Sequence, residues 1–126
     1  MFAYFEFQQE TPAGGLNAFV FKLTDPARIA EARAIIADES GLHVQGTIVI
    51  APVPYNPNWA FHLDPSSIRF FQMAIEVCDA NVTYVAENLR QVGTDFLPGN
   101  HWCPWSSVLS REVTSLIDPV TERLLT

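Results

Sequence analysis

The sequence predicts an α+β fold in which an antiparallel β-sheet carries two helices packed on one face. Three observations lead to this class: aromatic-rich runs with alternating polarity, two segments with helical periodicity, and Pro- and Gly-rich connections between them. The predicted order is β-β-α-β-β-β-α-loop-β, which places strands next to each other in sequence and favours antiparallel pairing. The chain has 126 residues, so one globular domain over residues 1–126 is expected.

The N-terminal runs predict a hairpin that begins the sheet. The first strand is "FAYFEFQ", which is rich in aromatic residues, and "TPAGG" breaks it. The second strand is "NAFVFKLT", which places Phe19, Phe21 and Leu23 on one face and Val20 and Lys22 on the other.

The clearest helix is predicted in "TDPARIAEARAIIADESG". Thr24 or Asp25 caps its N-terminus, and Pro26 fits the first turn, where its missing N–H costs no hydrogen bond. The apolar stripe consists of Ile29, Ala32 and Ile36. Gly41 is expected to end the helix as a left-handed cap.

Three further strands are predicted as an antiparallel meander. They are "LHVQGTIVIAPV", "NWAFHLD" and "SIRFFQMAIEVCD". The last is the longest alternating run of the chain, and its period of two favours a strand over a helix. The residues predicted to share one face of that strand are Phe71, Met73, Ile75 and Val77.

The C-terminal third predicts one more helix, a long loop and a final strand. The helix is "ANVTYVAENLRQVG", ended by Gly93, and the loop is "TDFLPGNHWCPWSS". The remainder, "VLSREVTSLIDPVTERLL", predicts a strand to about residue 114, a turn at Asp118-Pro119 and a last helical turn.

Composition excludes several classes of function. Apolar residues make up 48% and charged residues 17%, which is typical of a globular domain. The net charge of −7 opposes binding to nucleic-acid backbones and to anionic membranes. No apolar run approaches the roughly 18 residues of a membrane span. Met1 leads into "FAYFEFQQE" without a basic region, so no signal peptide is predicted, while compartment and oligomeric state stay open.

The first candidate binding surface is the Pro-rich loop, residues 51–58 within "APVPYNPNWAFHLDP". Its prolines fix φ near roughly −65° and favour extended neighbours, so the loop is stiff and loses little entropy on binding. It is expected to display partner-binding side chains, namely Val53, Pro54, Tyr55 and Asn56, with Trp59 following. The alternative is a long hairpin connection whose prolines block edge pairing.

Protein recognition through this loop is the function that the sequence favours, with protease inhibition as its sharpest form. Small protease inhibitors offer a stiff, substrate-like segment between two strands, and the Pro-rich loop shares that order and character without an inhibitor motif. In this form Tyr55, or a neighbour in residues 53–56, enters the primary pocket of a chymotrypsin-like or subtilisin-like protease.

The second candidate surface is the Trp loop, residues 95–107. It brings together His101, Trp102 and Trp105. Exposed tryptophans mark a recognition surface, whereas buried ones close one end of the sheet. A second functional hypothesis is sugar or small-ligand binding, with a stacking platform and polar contacts formed by Trp59, Trp102, Trp105, Asn56, Asn58 and Asn100.

Cys78 and Cys103 leave two alternatives open. A disulfide between them closes a loop of about 25 residues and is worth about 3 kcal/mol in the chain-entropy model. Two buried free thiols are the other alternative. The separation matches no metal-binding spacing.

An enzyme is the third hypothesis and the one with the least support. The candidate acid–base groups are His43, His62, His101, Asp64, Asp79 and Cys103. The sequence holds no HxxxH, CxxC or HxH spacing, no nucleophile elbow, no P-loop and no dinucleotide fingerprint. No catalytic residue, cofactor or metal is therefore predicted.

Four segments resemble one known family: "FVFKLTDPARIAEAR", "HVQGTIV", "WAFHLDPSSIRFF" and "AIEVCDA". The likeness is to the N-terminal domain of the cyclic-AMP-inducible, calmodulin-binding proteins first described in slime moulds, which have many bacterial relatives. It covers roughly residues 17–113. The resemblance implies a compact module, used alone or in tandem, and supplies no active-site motif to carry over.

Calmodulin binding is not carried over to this chain. Calmodulin targets are basic amphipathic helices with bulky anchors. The predicted helix at 26–39 has two arginines against three acids, Glu31, Asp38 and Glu39, and its apolar residues are small.

Overall fold

A computed structural model describes residues 2–74 and 76–125. The strands are β1 (Ala3–Glu10), β2 (Leu16–Leu23), β3 (His43–Val49), β4 (His62–Leu63), β5 (Arg69–Phe71), β6 (Val92–Gly93), β7 (Phe96–Pro98), β8 (His101–Trp102) and β9 (Val108–Glu112). The helices are α1 (Pro26–Asp38) and α2 (Val82–Glu87). Short 3-10 turns lie at Pro65–Ser67, Glu76–Cys78, Leu89–Gln91 and Thr114–Leu116.

The predicted fold class is confirmed. β1 and β2 form the expected antiparallel hairpin, and β9 joins the other edge of β1, so the strand order is β2-β1-β9. The aromatic pairs Phe5–Phe21 and Phe7–Phe19 lie opposite each other in the register. Their side chains form the main core, as alternation predicts for one face of a sheet.

Both helices pack on this same face of the sheet. α1 contributes Ile29, Ala32 and Ile35, and α2 contributes Val82 and Val85, to the core that contains the phenylalanines of the hairpin.

The predicted start of α1 is confirmed and its predicted end is wrong. Asp25 is the N-cap, and its Oδ1 accepts a hydrogen bond from the Ala27 N–H at 2.9 Å. The left-handed residue at the C-terminus is Glu39, with φ 49°, and Gly41 lies two residues beyond it.

β3 is the centre of the second group of strands and pairs antiparallel with β4, β5 and β8. The predicted long strand over "SIRFFQMAIEVCD" is wrong beyond Phe71. Met73 is 81% exposed, Val77 is 53% exposed, and the chain turns into a 3-10 turn that brings Cys78 into a buried cluster. The requirements of Cys78 therefore override the alternation. The prediction for Ile75 lies outside the described residues.

The C-terminal part differs from the prediction in two places. The Trp loop contains β8, which pairs with β3 through Gly46–Trp102 and Thr47–His101. The turn at Asp118 is present, but a bridge between Ile117 and Leu124 replaces the predicted helical turn. Among the described residues, no helix combines the length and apolarity that crossing a bilayer requires.

Candidate functional site

The Pro-rich loop lies against the outer edge of β2. An edge strand presents unpaired N–H and C=O groups that need partners. The Asn56 side chain accepts a hydrogen bond from the Val20 N–H at 2.9 Å, and the Trp59 indole N–H donates to the Ala18 carbonyl at 2.9 Å. The Asn56 amide also donates to the Phe61 carbonyl at 3.3 Å. Asn56 and Trp59, rather than the prolines, therefore cover the edge.

Tyr55 anchors the loop from beneath. Its ring lies 5.3 Å from the Tyr4 ring, edge-on, and only 3% of the residue is exposed. It belongs to a small second core together with Val113 and Ile117. Burial is the main reason that the pKa of Tyr55 rises to about 12, with the nearby carboxylate of Glu122 adding to it.

The expectation that Tyr55 and Asn56 are displayed is therefore wrong. Two turns fold the loop: the Asn56 N–H donates to the Val53 carbonyl at 3.2 Å, and the Trp59 N–H donates to the Asn56 carbonyl at 3.3 Å. This folding directs Tyr55 and Asn56 into the protein. Tyr55 in this position cannot enter a protease pocket.

The side chains that the loop does expose form an uncharged ridge. We define the ridge as Ile50, Pro52, Pro54, Pro57 and Asn58, all exposed, while Val53 is half-buried. No charged residue occurs from position 49 to position 61. In a chain of net charge −7, this ridge is a neutral surface on an acidic domain.

The Trp loop is held in the core by Trp102. The ring is fully buried, makes edge-on contacts with Phe7, Phe19 and Phe61, and donates its indole N–H to the Ala80 carbonyl at 2.8 Å. Trp102 therefore closes one end of the sheet, and its predicted role in partner contact is wrong.

The three tryptophans do not form a common platform. Trp59 is half-buried and packs on Phe19 and Phe61, whereas Trp105 is half-buried in a separate cluster beside the two cysteines. Because Trp102 lies within the core, no face of it is available to stack on a sugar ring.

Cys78 and Cys103 form a disulfide, so the first of the two alternatives holds. Both residues are buried. His101, which is exposed, places Nε2 at 3.3 Å from the Cys103 sulfur. Among the described residues, the ligand atoms of Cys78, His101 and Cys103 lie within 4.8 Å of one another. Trp105 and Asp79 border this group, joined by a hydrogen bond of 3.0 Å from the Trp105 N–H to the Asp79 carboxylate.

The other candidate acid–base groups serve the backbone. His43 Nδ1 lies 2.7 Å from the Ser107 carbonyl oxygen, and His62 Nδ1 lies 2.7 Å from the Ala51 carbonyl oxygen. The Asp64 carboxylate caps the following 3-10 turn by accepting a hydrogen bond from the Ser66 N–H at 3.0 Å. The contacts of His62 and Asp64 position the turns on either side of β4.

One polar cluster was not predicted from the sequence. Glu122 accepts hydrogen bonds from Lys22 Nζ at 2.7 Å and from the Tyr4 hydroxyl. These two bonds lower the pKa of Glu122, Lys22 more than Tyr4. Burial and the bond to Glu122 raise the pKa of Tyr4. The only sequence signal was Lys22 on the face opposite the phenylalanines, since Glu122 is 118 residues from Tyr4.

The comparison with known families gives one match. The family model for the N-terminal domain of the calmodulin-binding proteins named above matches residues 1–116, which include both candidate loops and the disulfide. The match confirms the resemblance predicted from the sequence. Searches of curated proteins and of solved structures found no match.

Proposed function

The chain belongs to this family of N-terminal domains, and we propose that it is a non-enzymatic module that recognises a protein partner through its uncharged Pro-rich ridge. The observation that supports this most is the combination of an exposed ridge with buried anchors directly beneath it. Tyr55 and Asn56 fix the loop, and Pro52, Pro54 and Pro57 remain exposed.

The anchors prepare the loop for binding. Ordering one residue of backbone costs about 1–2 kcal/mol, and a partner of a flexible loop supplies that free energy on association. Here the hydrogen bonds of Asn56 and the burial of Tyr55 have already ordered the backbone, and proline narrows it further. The ridge therefore meets a partner in a fixed shape.

The chemistry of the ridge defines the class of partner. Ile50 is 51% exposed, and Val49, beside it, is 37% exposed. A neutral, partly apolar surface favours an apolar patch on the partner, because burial of apolar area stabilises the contact. The acidic remainder of the domain favours basic residues around that patch through long-range attraction.

Protease inhibition stays the sharpest form of the proposal, with a different residue at the contact. Because Tyr55 is buried, the residues available to a protease are Val53, half-buried, and Pro54, exposed. A panel of serine and cysteine proteases assayed with saturating domain tests this form directly.

The proposal as a whole is tested with a ridge variant that leaves the anchors intact. We expect Ile50→Ser combined with Pro54→Ser to weaken binding to the captured protein partner at least about tenfold in calorimetric titration, as loss of central apolar contacts does at other interfaces. The matched control is Met73→Ser, which removes a side chain that is 81% exposed on a different loop. Equal binding of wild type, ridge variant and control excludes the ridge as the recognition surface.

A further inference from the structure

We propose that reduction of the Cys78–Cys103 disulfide creates a zinc site formed by the two cysteine thiolates and His101. The three ligand atoms already lie within 4.8 Å of one another. In tetrahedral zinc sites the metal lies about 2.3 Å from sulfur and about 2.0–2.1 Å from nitrogen, so neighbouring ligand atoms are about 3.5–4 Å apart. The distance from His101 Nε2 to the Cys103 sulfur, 3.3 Å, is close to that range.

The two cysteines stay together without the covalent bond because three hydrogen bonds join their segments. The Cys103 N–H donates to the Cys78 carbonyl at 2.7 Å, the Trp102 indole donates to the Ala80 carbonyl at 2.8 Å, and the Trp105 N–H donates to the Asp79 carboxylate at 3.0 Å. The Cα atoms of the two cysteines are 5.1 Å apart. Opening of the sulfur–sulfur bond therefore requires only rotation of the two side chains to admit an ion.

His101 is held independently of the cysteines. It lies on β8, where its register partner on β3 is Thr47. Its side chain is exposed while both sulfur atoms belong to buried residues, so the ion would bind with thiolates on the protein side and His101 toward solvent. A water molecule can then complete four-coordination.

Ligand chemistry selects zinc and makes the site depend on redox state. Thiolate and imidazole ligands suit Zn²⁺, and the two thiolate charges balance the charge of the ion. Thiolates bind metal, and joining the sulfurs in a disulfide removes both. The oxidised domain therefore holds a disulfide where the reduced domain holds the ion.

The chemical steps balance with an added thiol reductant. Two electrons and two protons from a dithiol convert the disulfide to two thiols, and the dithiol becomes a cyclic disulfide. Zn²⁺ then displaces the two thiol protons and binds neutral His101, so each ion bound releases two protons to the buffer.

The test is metal titration of the intact domain before and after reduction. After anaerobic removal of the reductant, Co²⁺ serves as a spectroscopic probe because thiolate ligation gives an intense charge-transfer absorption. We expect the reduced protein to bind one Co²⁺ with that absorption, Zn²⁺ to displace it, and the oxidised protein to show neither. The variant His101→Asn should weaken Zn²⁺ binding by at least about tenfold, since even outer partners of ligands cost that much. The matched control His62→Asn should leave it unchanged.

A circular dichroism spectrum recorded in parallel separates loss of the site from loss of the fold. A reduced protein that is folded only with Zn²⁺ also supports the proposal, because binding is then coupled to folding. Three results overturn it: a folded reduced protein without thiolate-to-metal absorption, equal Zn²⁺ affinity in His101→Asn and wild type, or a reduced protein that stays unfolded with Zn²⁺ present.

Discussion

The Pro-rich loop and the Trp loop are both rich in proline and aromatic residues, yet the structure holds them in different ways. The Pro-rich loop is attached to an edge strand by one amide, Asn56, and one ring, Tyr55. The Trp loop is attached by a disulfide, by strand pairing with β3 and by a fully buried Trp102. The first loop therefore has its prolines free for contact, whereas the second belongs to the core.

The largest effect is expected for Trp102→Ala. Removal of a fully buried tryptophan costs about 3–5 kcal/mol, which approaches the whole stability of many domains. Urea denaturation followed by circular dichroism measures the loss. The matched variant is Trp105→Ala, which truncates a half-buried ring of the same loop. Equal losses in the two variants would show that Trp102 does not carry the attachment of the Trp loop.

A smaller effect is expected when Cys78 and Cys103 are both replaced by alanine. The chain-entropy model gives about 3 kcal/mol for a bond between residues 25 apart. Because the hydrogen bonds between the two segments remain, we expect the variant to fold with an unchanged near-ultraviolet spectrum and a lower urea midpoint. A variant that is unfolded without urea would mean that the disulfide, and not the buried Trp102, holds the Trp loop in place.

Asn56→Ala tests the attachment of the Pro-rich loop. It leaves the buried Val20 N–H without its acceptor, which costs about 1–3 kcal/mol. The matched control Asn58→Ala removes an exposed amide of the same loop and should change stability by less than about 0.5 kcal/mol. Chemical denaturation of both proteins checks the difference. If the two variants are equally stable, Asn56 does not anchor the loop.

Local sequence signals were sufficient for the first third of the fold. The hairpin follows from alternation around Phe19 and Phe21, and the start of α1 follows from Asp25-Pro26, because each signal involves only neighbouring residues. The class of fold follows from the order of these elements. Alternation failed after Phe71, where a distant partner, Cys103, decides the path of the chain.

The candidate site was less predictable because exposure depends on distant residues. Proline at three positions correctly indicated a stiff loop, but the burial of Tyr55 depends on Tyr4 and on residues 113–117. Composition alone could not divide the loop into anchors and exposed side chains. The same limit applies to Trp102, whose burial requires Phe7 and Phe61 from separate segments.

The smallest effect, expected for Glu122→Gln, concerns the base of the Pro-rich loop. Glu122 holds Tyr4, the ring on which Tyr55 rests, and its pKa is lowered in the folded state. A lowered pKa gives stability that is present above the unfolded value of about 4.3 and is lost as pH falls through the folded value. Because the Glu122 side chain is 35% exposed, we expect this contribution to stay below about 1 kcal/mol.

The glutamine variant should therefore be less stable than wild type at pH 7 and should lose less stability between about pH 5 and the acid limit. Thermal denaturation across that range measures both slopes. Glu87→Gln, which neutralises an exposed glutamate of α2, controls for the change in net charge. Parallel acid profiles for wild type and Glu122→Gln would show that the cluster contributes nothing to the support of Tyr55. The Pro-rich loop would then depend on Asn56 and on the apolar contacts of Tyr55 alone.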